Sequence, residues 1–343
     1  MSLSDFFKYD AGLSASVVTC EDAHDLVKYL RLTEKHWHEF QEHADLSWGR
    51  SWLFRGQAME SWSVLAPAWR PEGISFLNKT VIGNTAPSAN EFDPPVQEHW
   101  DALVAKYGES LSVSRLRELL TQAFFERRVI RQFLERADLL GLPVPIMSTS
   151  STDTYDFGVE YISKLISGGT RPIWSEPAVA LAQHHGIPTR LIDWTYNPLT
   201  AAFFAAEDTV RLQAKGQPIS KNMVIYALHE KMATTKHLTL VHHPNSMDTY
   251  IRAQEGVFTL DGDAETAYLG TGSWPDYEQS LNRLTSLFGS GLMPRKIIVP
   301  VSEARELLRL LSIEGITRDG LMPTLDNVAA SIRFEWMLKY TGN

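Results

Sequence analysis

Charged and polar side chains interrupt three apolar, strand-like segments of this sequence. The segments lie at residues 52–57, 181–198 and 253–259. An ionisable group beside a packed strand costs free energy unless it is paired or used. Breaks of this kind in a local pattern tend to mark functional sites. Because the three segments are far apart in the chain, only the tertiary structure can bring them together.

Arg55 and Gly56 form the first candidate pair, at the end of the first apolar run. The planar guanidinium of Arg55 is suited to a phosphate or a carboxylate. Gly56 lets the backbone turn or lets a ligand approach closely. A second interpretation of the same residues is a buried arginine–aspartate pair that holds the strand end in place.

The second segment contains Arg190, Asp193 and Thr195. Arg190 and Asp193 are three residues apart on a predicted strand, so their side chains point to opposite faces of the sheet. Thr195 lies where the strand turns into the helix that begins at Asn197-Pro198. Free N–H groups at a helix start favour an anion such as a pyrophosphate. Asp193 or Thr195 could equally cap that helix.

His184 and His185 precede this strand, at the end of a predicted helix. Either could act as a general base or contact a substrate. Adjacent histidines point apart on a helix, and no further ligand lies at a recognised spacing, so we expect no metal site.

Gln254 and Glu255 precede the third strand-like run, which begins at Val257. A glutamate at this point could hold a ribose hydroxyl or stabilise positive charge that develops at a sugar carbon. A solvent-exposed strand start is the alternative.

Composition narrows the class of protein. The chain has 343 residues, a net charge of −9 and a single cysteine, Cys20. The negative charge argues against a nucleic-acid binder that works by bulk charge. One cysteine excludes an internal disulfide framework and fits a cytoplasmic setting. No secretion signal and no membrane-spanning segment is recognisable, so we expect no membrane association.

The periodicity of apolar residues predicts an α+β fold. Strands are expected near residues 51–54, 190–194, 222–228 and 295–301, and helices near 110–140, 176–185, 199–206, 302–313 and 326–340. Residues 71–99 are rich in glycine, proline, asparagine and serine, and indicate irregular structure. Strands and helices alternate only loosely, which favours α+β over a doubly wound parallel sheet.

At these motifs the chain resembles FRG-domain proteins, a bacterial and phage-associated family named for its Phe-Arg-Gly signature. The resemblance rests on Phe54-Arg-Gly-Gln57, on residues 183–199 and on Gln254-Glu-Gly-Val-Phe258, and it continues into residues 296–300 and 321–326. It implies an FRG domain at residues 49–330 with a helical insertion at about 75–165. An N-terminal helical segment at residues 1–48 and a helix end at 331–343 complete the predicted organisation.

The order of the family's motifs is similar to that of ADP-ribosyltransferases. This likeness implies a split mixed or antiparallel sheet with surrounding helices, and NAD as the substrate without a metal. Arg55, with Gly56, would hold NAD, and the strand end at Asp193 and Thr195 would position it. Glu255 or Gln254 would take the catalytic place. The residues His184, His185 and Arg190 of the middle motif would join the cofactor-binding set.

The resemblance therefore implies an NAD-dependent ADP-ribosyltransferase-like effector or toxin of a phage-defence or toxin–antitoxin system. RNA or protein is the expected acceptor, and an antitoxin or chaperone protein the expected partner. Two alternatives stay open from the residues themselves. One is a non-catalytic module that binds a nucleotide or nucleic acid, and the other is a hydrolase acting on NAD or nucleic acid.

Overall fold

A mixed sheet of eight strands organises the part of the chain that the structure describes. The computed structural model describes residues 7–10, 15–38, 51–82, 105, 112–145, 177–243, 249–288 and 293–340. The strands are Phe7–Asp10 (β1), Ala15–Thr19 (β2), Trp52–Gln57 (β3), Leu191–Thr195 (β4), Asn222–His229 (β5), Leu238–Val241 (β6), Gly256–Asp261 (β7) and Arg295–Pro300 (β8). Their order is β1-β2-β8-β5-β3-β4-β7-β6. β2 and β8 run parallel and the other neighbours run antiparallel.

Helices pack around this sheet. They are Ala23–Leu30 (α1), Pro71–Ile82 (α2), Val113–Leu139 (α3), Pro177–His184 (α4), Pro198–Ala214 (α5), Thr249–Ala253 (α6), Ala264–Thr271 (α7), Tyr277–Phe288 (α8), Ala304–Ile313 (α9), Arg318–Leu321 (α10) and Leu325–Tyr340 (α11). The predicted α+β class with a mixed sheet is therefore confirmed. Among the described residues, no helix combines the length and the apolar character that crossing a bilayer requires.

Both faces of the central strands are buried. Phe54 and Ile225 belong to a core that α1, α5 and α9 cover, whereas Leu53 and Tyr226 belong to a core on the other face that α3 and α8 complete. Alternation of side chains along each strand explains this division. It also explains why β5 shows an almost unbroken apolar run in the sequence.

The sheet opens between β3 and β4. β3 pairs with β5 over six residues, and β4 pairs with β7 over five. In contrast, a single residue pair, Phe54 with Thr195, is in register between β3 and β4 in the described part of the chain. The strands therefore diverge on either side of this pair, and backbone and side chains near it can line a cavity.

Helix α5 closes over this opening. Pro198 occupies its first turn, as the sequence predicts, and Asn197 caps it through hydrogen bonds from the N–H groups of Leu199 and Thr200. A Cβ atom on Gly56 would lie 1.9 Å from the carbonyl oxygen of Ala201. Gly56 is therefore required for the close approach of β3 and α5.

Replacing Gly56 with alanine should destabilise the protein by about 3 kcal/mol, since strand or helix backbone must move to accept the extra methyl group. Denaturant unfolding measures this change. Gly270→Ala is the matched control, because a Cβ atom on Gly270 meets nothing within 4 Å. Equal stability of the two variants would contradict the close approach.

Three predictions about organisation need correction. The segment 1–48 is not helical alone, because β2 pairs with β8 and extends the sheet. Residues 71–99 are not irregular throughout, since α2 occupies Pro71–Ile82. The helix predicted to begin at 302 instead starts at Ala304, after a short 3-10 turn at Val301–Glu303. Of the predicted insertion, most of 83–111 and all of 146–165 lie outside the described residues.

Candidate functional site

A cavity of about 260 Å³ lies where β3 and β4 meet beneath α5. It gathers residues from the three segments that the sequence singled out and from α5. Its lining consists of Phe54, Arg55, Gly56, Asp193, Trp194, Thr195, Ala201, Phe204, Asp208 and Gln254. The predicted residues Arg55, Gly56, Asp193, Thr195 and Gln254 are therefore brought together by the fold.

Arg55 crosses the opening between the two strands. Its Nη1 atom donates a hydrogen bond to the carbonyl oxygen of Asp193 at 2.9 Å and lies 3.6 Å from the Asp193 carboxylate. The Arg55 side chain is only 14% exposed. Its buried Nε atom has no hydrogen-bond partner among the described residues. A buried donor without a partner is costly, which makes an additional acceptor favourable at this position.

The Asp193 carboxylate contacts both Arg55 and Gln183 but stays accessible to solvent. Gln183 donates a hydrogen bond from Nε2 to Asp193 Oδ1 at 2.7 Å, and Thr189 in turn donates to Gln183. The Asp193 side chain is 52% exposed. The arginine–aspartate pair that the sequence offered as an alternative is present, but it lines a cavity rather than filling one.

Thr195 and Gln254 join the second and third segments. The Thr195 hydroxyl donates to the carbonyl oxygen of Gln254 at 2.6 Å and accepts a hydrogen bond from the N–H of Asn197 at 2.9 Å. The Gln254 side chain donates to the carbonyl oxygen of Leu321 at 3.2 Å. These bonds fix the positions of the strand end and of the turn before β7 relative to each other.

The start of α5 does not offer free N–H groups to an anion. Asn197 Oδ1 accepts from the N–H groups of Leu199 at 3.0 Å and Thr200 at 3.4 Å. The expected anion site at this helix start was therefore wrong. Asn197, rather than Asp193 or Thr195, is the capping residue.

Asp208 is the charged cavity residue that sequence reasoning missed. It lies on α5, next to Glu207, which is buried and paired with Arg318 at 2.8 Å. Asp208 is exposed at the cavity, but partial desolvation and the neighbouring Glu207 raise its carboxyl pKa, against the opposing effect of Arg211, Arg318 and Arg55. Two adjacent carboxylates directly after the apolar run 201–206 of α5 are the signal that could have identified it.

Glu255 does not line the cavity. It is the only described residue other than glycine with a positive φ, at 51°. Its carbonyl oxygen accepts from the N–H of Tyr196 at 3.1 Å, and its carboxylate lies 3.5 Å from Asn197 Nδ2. Left-handed backbone at a non-glycine residue is held by surrounding structure. These contacts place the Glu255 side chain beside the cap of α5.

The two histidines also lie elsewhere. The ring of His184 lies 5.5 Å from that of Tyr250, and the exposed His185 stacks on Phe133 at 6.0 Å. Neither residue belongs to the cavity lining. The location of these two histidines therefore does not support the cofactor-binding role expected for them.

Arg190 is buried on the opposite face of β4 from Asp193, as strand alternation predicts. Its side chain is 2% exposed and contacts the carboxylates of Glu126 and Glu265. Its guanidinium also lies 5.5 Å from the ring centre of Trp274. Arg190 cannot reach the cavity, so the cofactor-binding role predicted for it needs correction. It instead forms a buried ionic contact that joins the start of β4 to α3 and α7.

The chemistry of the cavity follows from its charges. One guanidinium faces two carboxylates, Asp193 and Asp208, beside the hydroxyl of Thr195 and the aromatic ring of Phe204. Such a lining can bind a polar ring, hold a sugar hydroxyl and stabilise positive charge. No group of three or more metal-ligating side chains lies within the described ranges.

Comparisons with known proteins identify part of this region. No curated protein and no solved structure matches the chain significantly. The family model of the FRG domain matches residues 146–213. The matched part includes Asp193, Thr195 and Asp208 of the cavity, but neither Arg55 nor Gln254. The FRG-domain match over residues 146–213 thus covers a region whose described part contributes α4, β4 and most of α5 to the candidate site.

Proposed function

We propose that this protein is an NAD-dependent ADP-ribosyltransferase-like enzyme. The observation that carries the proposal is the cavity at the opening of the sheet. It unites Arg55, Asp193, Thr195 and Gln254, which come from three segments separated along the chain. An arginine can hold a phosphate or ribose oxygen of NAD, and carboxylates around the same small cavity can stabilise positive charge that develops at the sugar carbon.

The size of the cavity specifies which part of NAD would enter it. A volume of about 260 Å³ lies below the roughly 300–1,000 Å³ of pockets that enclose drug-sized ligands. We therefore infer that the nicotinamide–ribose half occupies the cavity, while the adenylate half lies outside it. Asp193 and Asp208 favour a cationic nicotinamide ring, because opposite charges attract strongly in a partly desolvated site.

The proposed reaction breaks the glycosidic bond between nicotinamide and ribose. Nicotinamide leaves with the bonding electron pair, and positive charge develops at the ribose C1′ carbon. An acceptor oxygen or nitrogen forms the new bond to C1′, and Asp208 takes the proton that the acceptor loses. A carboxylate with a raised pKa is better matched to this proton transfer near neutral pH than an ordinary aspartate.

Mass spectrometry and chromatography of the purified full-length chain with NAD test the proposal. Release of nicotinamide together with a modified RNA or protein acceptor supports transfer. Free ADP-ribose without a modified acceptor indicates a hydrolase. Calorimetric binding of NAD without any product indicates a binding module without chemistry. This module is the second candidate, because Arg55 is already engaged with Asp193 and could bind a ligand without taking part in a reaction.

Asp208→Asn should lower the rate of nicotinamide release about 10²-fold, because the amide cannot accept the acceptor's proton. Initial rates at saturating NAD measure this effect on the reaction, and calorimetry measures separately the loss of NAD affinity that follows from removing the Asp208 charge. Asp138→Asn, an exposed aspartate on α3, is the matched control. Equal rates for Asp208→Asn and the native chain would show that Asp208 does not accept the proton, without contradicting the proposed transfer.

The proposal includes partners of two kinds. An enzyme that consumes NAD harms its host cell unless it is restrained, so a binding protein of the antitoxin or chaperone type is expected. The acceptor is expected to be RNA or protein. The net charge of −9 favours a short or locally bound RNA segment over a long nucleic acid, because bulk charge would repel the latter.

A further inference from the structure

The C-terminal helix α11 has an inner and an outer face of different character. On the inner face, Ser331 is buried and donates to Asp319 at 3.0 Å, and Asn327 accepts from Arg318 at 3.2 Å. Phe334 packs against the core beneath α5, with the Arg211 guanidinium 6.0 Å from its ring centre. These contacts fix which side of α11 faces the protein.

The outer face is apolar and exposed. Leu325 is 88% exposed, Ile332 52% and Trp336 63%, and Ala329 between them is exposed as well. The four positions are separated by four, three and four residues, which aligns them along one side of the helix. This spacing is that of a seam between paired helices. Large apolar side chains aligned in this way mark an interaction surface more often than scattered ones do.

The same residues complement themselves when two copies of the helix run antiparallel. In one register, Leu325 lies opposite Trp336 of the second copy and Ala329 lies opposite Ile332. Both contacts occur twice by symmetry and give four consecutive layers. Each layer joins a smaller residue to a larger one, which lets the two helices interlock.

Charges on the flank of the seam favour this register. Asp326 follows Leu325 and Arg333 follows Ile332, so both lie on the same side of the seam. In the antiparallel register Asp326 faces Arg333 of the second copy, again twice by symmetry. Both side chains are exposed, and no ion pair engages either of them within the described residues. A parallel pair would bring neither charge to an opposite one.

We propose that α11 is a self-association surface that pairs antiparallel with α11 of a second copy of this chain. A single pair of 16-residue helices buries less than the roughly 1,600 Å² of a standard interface. The dimer should therefore be reversible and dependent on concentration. This surface is separate from the cavity, so the proposal does not depend on the proposed function.

Analytical ultracentrifugation of the full chain over a wide concentration series tests the pairing. We expect a monomer–dimer equilibrium. Asp326→Arg and Arg333→Asp should each weaken the dimer about tenfold, since each places like charges opposite one another twice. The double variant should restore the native dissociation constant. A mixture of the two single variants should form heterodimers more tightly than either variant forms homodimers.

Trp336→Ala should weaken the dimer about 30-fold, because aromatic residues carry much of the binding energy of an interface. Leu139→Ala, which removes an even more exposed apolar side chain from α3, should leave the dimer unchanged. Circular dichroism and thermal unfolding check that every variant is folded. A chain that stays monomeric at all concentrations, or a dimer that ignores both the charge reversals and Trp336→Ala, would overturn the proposal.

Discussion

Arg55→Ala is expected to lower NAD turnover by about 10²–10³-fold, the effect of removing one preorganised charged donor from an active site. The Arg55 guanidinium joins β3 to the Asp193 carbonyl at 2.9 Å and lines the cavity. Both features position a ligand as well as bind it. The variant should therefore lose rate at saturating NAD as well as affinity. Nicotinamide release measured over a range of NAD concentrations separates the two.

Protein stability should change much less than activity in this variant. Asp193 keeps its hydrogen bond from Gln183 and is half exposed, so it is not left as a buried unpaired charge. We expect a loss of about 1–2 kcal/mol in the free energy of unfolding. Arg55→Lys keeps the charge but not the planar fork, and should recover only part of the rate. The exposed Arg309→Ala is the matched control for arginine removal.

Unchanged turnover in folded Arg55→Ala would refute a role of Arg55 in the reaction. A large loss of stability, with unchanged specific activity of the folded fraction, would show that Arg55 only holds β3 and β4 together. If the native chain shows no turnover but calorimetry shows NAD binding that Arg55→Ala abolishes, the cavity is a binding site without chemistry.

Arg190→Met should destabilise the protein by about 3–5 kcal/mol, the usual cost of leaving buried charges without their partner. Glu126 and Glu265 are fully buried and contact the Arg190 guanidinium from α3 and α7. Without the arginine, both buried carboxylates lose their guanidinium partner. Denaturant unfolding at neutral pH gives the change in the free energy of unfolding.

A compensated variant makes this prediction sharper. Replacing all three residues together, as Arg190→Met with Glu126→Leu and Glu265→Leu, should recover most of the lost stability, because an apolar set of similar volume avoids the desolvation penalty. NAD binding of the folded triple variant should equal that of the native chain, since Arg190 does not reach the cavity. Weakened NAD binding in that variant would indicate that Arg190 contributes to ligand binding after all.

Local patterns in the amino-acid sequence are enough to predict several elements of this protein. Pro198 after Asn197 predicts the start of α5, and strand alternation predicts that Arg190 and Asp193 face opposite ways. Strand β5 is predicted over nearly its full length, because its apolar run spans both buried faces. These features depend on residues within a few positions of one another, where propensity and periodicity act directly.

Strands near the edge of the sheet, and the direction in which some side chains point, depend on contacts between residues far apart in the chain. β2 escapes prediction because its pairing partner, β8, lies almost three hundred residues further along the chain. Glu255 and Gln254 are neighbours, yet Gln254 lines the cavity while Glu255 turns toward Asn197. The positive φ of Glu255 redirects its side chain, and no local pattern in the sequence indicates that angle.

The sequence by itself determined which residue types could do chemistry and which short elements carry them, because those properties are local. Only the tertiary structure decided which of them meet. Gly56 lets α5 approach β3, the sheet opens beside Phe54 and Thr195, and Asp208 on α5 thereby joins Arg55 and Asp193. Packing between elements sets these positions, since a side chain's reach is a few ångströms whereas the segments are separated by up to two hundred residues.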